Sequence, residues 1–412
     1  MTQTTESRPS TALPSRFREA EARGARLGRT LRLLGRVPAG TDEELMARVG
    51  EALLEVDEPG AALADAMRTR AEGRVTHAQL RTALHDGIDA VPDAPAALRT
   101  FMDVVNDVPD WVDWDRVDRG GKVFTRLGRT AADVLLQLSL IGGYRFGGPT
   151  DLLVATGGLM GDQTRRRLAE TQLWTMSLAP AGALRPGGEG WRLTVHVRAM
   201  HALVNASYEA DWDTERWGRP INMADQVGTL GLFDGALLIG SRVLGVPLRR
   251  SEADDLMHLW RYVGWLMGVH PDFLTDDERE RHRINLHVLL AAADVSPAGP
   301  ELARATVQAQ RERVFAGWPS ALQGLRGRYE RERVLSMLSG FLGRRGMRDL
   351  GLPLRPPWAF VLAFLGNTWR HRVVGRLPGG RARLEAQGVQ VRQQILDSYF
   401  IEERPAVAAL PD

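Results

Sequence analysis

From about residue 16 onward, apolar side chains recur three and four residues apart, and alternate-position patterns are nearly absent. A period near 3.6 lines those side chains along one face of a helix, so the chain is expected to be all-α. Residues 42–54 read as a helix with Leu45, Val49, Leu53 and Leu54 on one side. Residues 130–141 (TAADVLLQLSLI) are apolar almost all round, the pattern of a buried helix. Gly142, Gly143, Gly147, Gly148 and Pro149 then break it into a loop. Asp162 is placed to cap a helix over about 163–176, and a Pro- and Gly-rich turn leads into another over 191–208. Further helices are expected over 223–244, 251–267, 276–293, 301–315, 330–342 and 381–399. No internal repeat or long linker interrupts the pattern. Residues 16–412 are therefore expected to form a single all-helical domain behind a polar, disordered tail over 1–15.

Composition narrows the chemistry. The 412 residues include no cysteine, which rules out disulfides, Fe–S clusters, thiolate ligation of haem and covalent haem attachment through C-x-x-C-H. Any haem would be held non-covalently, with histidine as the natural ligand. Lysine and arginine total 53 against 51 acids, for a formal charge of +2. Nearly every base is arginine, Lys122 being the only lysine, and the arginines are interspersed with acids. No concentrated basic groove for nucleic acid is expected. The N-terminus lacks an apolar export segment, and the most apolar run, 358–366, falls far short of a bilayer span. A cytoplasmic protein with no integral membrane span is expected.

The stretch from Asp151 to Phe233 carries the candidate chemistry. Arg167 and Thr171 are four residues apart in RRRLAETQLW and share a helix face, where a guanidinium and a hydroxyl can polarise a bound oxygen. In WRLTVHVRAMHALVNASY, Leu193, Val197, Met200 and Val204 form an apolar stripe with His201 beside it and Arg198 one turn earlier. Spacing by itself leaves the role of His201 open, because a histidine on an apolar helix face is more often a core residue than a ligand. His258, three residues after Asp255, has the spacing of a di-iron bundle, but the matching pairs that such a site needs are missing. No Walker, dinucleotide or G-x-S-x-G pattern is present.

The segments RRRLAET and VRAMHALVN, at this separation, resemble the latex clearing protein (rubber oxygenase) family and the related ER-bound oxygenase MpaB group. PDWVDWDRVDRGGKVF from Pro109, GRPINMADQVGTLGLF from Gly218 and LWRYVGWLMGVHPDFL from Leu259 resemble it in the same order, so the likeness covers about residues 109–274. It implies a globin-like helical core around haem b, with dioxygen as co-substrate inserted across an isoprenoid-type double bond. By position, His201 matches the axial iron ligand and Arg198 the arginine before it, there to neutralise a haem propionate. Arg167 and Thr171 match the distal-side pair, and Asp151 falls near an acidic residue assigned as base. Glu170 stands where rubber oxygenases carry a lysine, which leaves Asp151 and Glu170 as the carboxylates available to take a proton. A small hydrophobic substrate is expected rather than polymeric rubber, with any electron donor left open. A haem-binding sensor or store without turnover, and a haem-less helical binding protein, remain the alternatives.

Overall fold

The computed structural model describes residues 12–38, 40–157 and 162–400, apart from the side chain of Asp162, and among these there is no β-strand. The helices run α1 (Glu21–Gly35), α2 (Glu43–Glu51), α3 (Glu58–Arg68), α4 (His77–Asp86), α5 (Ala96–Asn106), α6 (Trp114–Leu127) and α7 (Arg129–Asp133). After a π-helix over Val134–Ile141 come α8 (Pro149–Ala155), α9 (Asp162–Ser177), α10 (Glu189–Tyr208) and the single turn α11 (Thr214–Trp217). Next are α12 (Met223–Phe233), α13 (Gly235–Val243), α14 (Arg250–Leu266) and α15 (Glu278–Ala291). The last are α16 (Gly299–Arg311), α17 (Ser320–Asp349), α18 (Trp358–Arg372) and α19 (Gly380–Asp397). The all-α expectation holds. The tail expected over 1–15 lies outside the described residues up to residue 11, and beyond that point Pro14 is buried and the Ser15 amide donates to the Glu215 carbonyl.

Three expected helices differ in ways with physical causes. Residues 130–141 are helical, but from Val134 onward the turn widens and the Gly142 amide donates to the Gln137 carbonyl, five residues back. Residues 223–244 form two helices, because Asp234 leaves helical geometry (φ −105, ψ −83). Its fully buried carboxylate lies 2.8 Å from Arg281 Nε. The helix expected over 330–342 is longer at both ends and is bent at Gly343, whose φ of 61° only glycine adopts freely. The apolar run at 358–366, read only as too short for a membrane, is the first half of α18.

The largest core gathers side chains chiefly from α2 through α15, with Met337 of α17 and Ala359 of α18, around α6 and α14, which pack along one another. Close packing around α6 depends on the two glycines of the R-G-G-K stretch, Gly120 against α14 and Gly121 against the segment that follows α9. A Cβ at Gly120 would meet the Asp255 carbonyl at 2.4 Å, and one at Gly121 would meet the Ala179 carbonyl at 2.3 Å. Trp174, Phe233 and Trp260 interlock in this core, Trp174 edge-on to the other two and Phe233 stacked on Trp260 with centroids 5.1 Å apart. Trp174 and Trp260, with Phe233, thus brace α9 and α12 against α14.

Candidate active site

The site is built on α10, which packs on α3 on one side and α9 on the other. Trp174 Nε1 of α9 donates to Thr194 Oγ1 of α10 at 3.0 Å, which fixes the two helices in register. His201 lies midway along α10. Its Nδ1 is buried and makes no hydrogen bond with any described residue. Burial pushes its pKa down to about 4, with Asp57 opposing the shift and the Arg167 guanidinium adding to it. The imidazole is therefore neutral at physiological pH, with a lone pair free.

On the α3 side, Asp57, Arg198, Asn205 and Gln226 join His201 around a cavity of about 10 Å³, roughly the volume one water molecule requires. Arg198, one turn before His201, gives its guanidinium to Asp57 in a bidentate pair of 2.7 and 2.6 Å. It also lies 5.5 Å from the Phe101 ring centroid. Arg198, expected to face a haem propionate, thus pairs with a carboxylate of the protein.

On the α9 side, Arg167 and Thr171 share the exposed face of the helix, and neither makes a hydrogen bond or ion pair with any described residue. Burial pushes the Tyr144 phenol up, and the Arg167 guanidinium opposes part of that rise while adding to the fall at His201. The two carboxylates are held elsewhere. Glu170 accepts from Arg166 Nε at 2.9 Å, one turn back. Asp151 Oδ2 accepts from the Gly148 amide at the start of α8, and its Oδ1 accepts from Ser296 Oγ at 3.0 Å. His201, Arg198 and Arg167 are therefore brought together, whereas Asp151 and Glu170 each have their own partners.

Sequence reasoning missed Asp57 and Asn205. Asp57 sits directly before α3 and reads as an ordinary helix-start acid, with its partner 141 residues away. Asn205 Oδ1 accepts from the Ile221 amide at 3.1 Å, a link that no local pattern announces. His258, weighed for a di-iron pair, accepts from the Asp113 amide through Nε2 and pairs with Asp276 through Nδ1. Among the described residues no group of three or more His, Asp or Glu side chains is disposed to hold a metal ion.

These features define an all-helical protein with a half-buried neutral histidine set between a protein carboxylate and an unpaired arginine. The family model described as "ER-bound oxygenase mpaB/B'/Rubber oxygenase, catalytic domain" matches residues 127–371, and the chain belongs to that family. A curated relative, the rubber oxygenase of Streptomyces sp. (strain K30), is 23% identical over 184 residues, 44% of this chain and 45% of the relative. The match spans less than half of either. A solved structure of the latex clearing protein LCP in the closed state shares the fold, with a TM-score of 0.65 and 18% identity over 84% of this chain and 91% of the other. Asp57 lies outside the matched residues; His201, Arg198, Arg167, Thr171, Glu170 and Asp151 lie within them.

Proposed function

We propose that the protein is a haem b-dependent oxygenase that uses dioxygen on a C=C bond of a small hydrophobic, isoprenoid-like molecule inside the cell. The observation that carries this reading is His201. It is a neutral imidazole with a partnerless buried nitrogen, beside an unpaired guanidinium, in a chain belonging to an oxygenase family. Neutral imidazole is the form that binds iron. His201, whose buried ring nitrogen is free, is the residue that would hold the haem iron. The 10 Å³ cavity on the Asp57 side is far too small for a porphyrin and suits a water behind the ring.

When bound, haem supplies the iron at which dioxygen is activated. The chain's own residues would do the rest. Arg198, anchored by Asp57, fixes the turn that presents His201. Arg167 and Thr171 offer N–H and O–H donors to a substrate or dioxygen oxygen, and their freedom from other partners is what such donors need. Asp151 and Glu170 are the carboxylates proposed to take a proton. Cleavage would place one oxygen atom on each new carbonyl group, which balances without an external reductant.

The test begins with the absorption spectrum of purified protein before and after reduction. A haem band that shifts on reduction supports the reading, and a colourless protein that cannot be reconstituted ends it. Short isoprenoids and polyisoprene latex are then assayed for carbonyl products, with faster turnover expected on the short molecules. A coloured protein that consumes no dioxygen with either would be a haem store or sensor.

A further inference from the structure

Helix α18 buries one side and leaves the other open. Ala359 and Asn367 are buried, Ser336 Oγ of α17 accepts from the Ala359 amide at 2.9 Å, and Asn367 Nδ2 donates to the Leu244 carbonyl at 2.9 Å. The opposite face presents Val361, Leu362, Phe364, Leu365 and Trp369, with Leu362 60% and Trp369 63% exposed. Val361, Leu365 and Trp369 are four residues apart, so they form a single stripe. The Tyr329–Trp358 ring contact, with centroids 5.8 Å apart, carries the surface onto the exposed apolar side of α17. Contiguous apolar surface of this kind marks a binding face.

Charge indicates the partner. Between Asp349 and Glu385 there are six arginines (355, 370, 372, 376, 381 and 383) and no acid, in a chain whose formal charge is only +2. Arg355 pairs with Glu332, Arg381 with Glu252, and Arg370 donates to Gln387. Arg372, Arg376 and Arg383 are exposed and have no acidic partner among the described residues. An apolar stripe containing tryptophan and rimmed by free arginines suits a lipid–water interface. No described helix is long and apolar enough to cross a membrane, so the contact would be with its surface. A second copy of the chain fits less well, because a two-fold interface would set one arginine rim against the other.

We propose that the outward face of α18 docks the protein on the surface of an anionic lipid bilayer. This does not depend on the oxygenase reading. The full chain is floated with vesicles of phosphatidylcholine alone and of phosphatidylcholine mixed with phosphatidylglycerol. Binding is expected to the mixed vesicles only, and to weaken with added salt. The double variant Leu365→Glu/Trp369→Glu should lose it while keeping wild-type helicity and solubility, since both side chains are exposed. Arg372→Ala and Arg376→Ala should each weaken partitioning about fivefold, as expected for one cation near a charged bilayer. Failure to bind the mixed vesicles would overturn the proposal, as would binding unchanged by the double variant. A concentration-dependent dimer that the double variant abolishes, without vesicle binding, would assign the face to a second copy instead.

Discussion

Asp57 and Arg198 form a bidentate ion pair across 141 residues, with Nε–Oδ2 at 2.7 Å and Nη2–Oδ1 at 2.6 Å. Both side chains are nearly sealed, at 4% exposure for Arg198 and 10% for Asp57. The pair ties the start of α3 to the turn of α10 that carries His201. Asp57→Asn would leave a buried guanidinium without its counter-charge, at a cost of about 3–5 kcal/mol. Denaturant unfolding should show that loss, with weaker retention of any bound haem. Asp57→Glu, which keeps the charge on a longer arm, should recover part of both. A neutral outcome for Asp57→Asn would mean that α10 is held by its other contacts alone.

His201→Ala should leave the helical content intact and remove haem. Its partnerless Nδ1 contributes no hydrogen bond to the fold, so the change is local. The measurement is the haem band per unit of protein in variant and parent purified side by side. Equal occupancy would sink the ligand assignment, whatever happened to turnover.

The helices themselves were legible because periodicity is local. α9 and α10 were each expected to within about two residues at either end, and the spacing that places Arg167 and Thr171 on one face follows from helix geometry alone. The pairing of Asp57 with Arg198 was not legible, since it joins distant segments and neither residue type is unusual in place. The break at Asp234 has a local signal in the Asp-Gly pair, which the apolar periodicity running through LFDGALL masks; the buried carboxylate's approach to Arg281 fixes it. Glu170 pairs with Arg166 one turn back, which leaves Arg167 free of it. The widened turn over 134–141 carries no local signal, as its residues would suit an ordinary α-helix equally well.

Glu330 on α17 is fully buried and ringed by Arg129, Arg326 and Arg333. Burial opposes its ionisation, but Arg333 and Arg129 outweigh that and hold the carboxyl down at about 2. A depressed folded pKa contributes stability above the unfolded value near 4.5, and that stability is lost as pH falls towards 2. Unfolding free energy should therefore drop across this window, by on the order of 3 kcal/mol from this group alone. Glu330→Gln should flatten that part of the profile and lower stability at pH 7. A profile of unchanged slope in the variant would show that other carboxylates dominate acid unfolding.

Arg167 makes no described hydrogen bond or ion pair and is exposed on α9, yet its charge reaches His201. A side chain so placed contributes little to folding. Arg167→Ala should change stability by less than about 0.5 kcal/mol. If the guanidinium donates to oxygen during turnover, its loss should cost about 10²–10³-fold in kcat. Haem content should stay at the parental level, which separates a donor from a cofactor anchor. Thr171→Val, equal in shape without the hydroxyl, tests the second donor and should cost less, because a neutral hydroxyl gives a weaker hydrogen bond than a guanidinium. Dioxygen uptake with a short isoprenoid reads out both variants. Normal uptake by Arg167→Ala, at equal haem content, would reduce the pair to surface residues and move the search for donors to the Tyr144 side of the site.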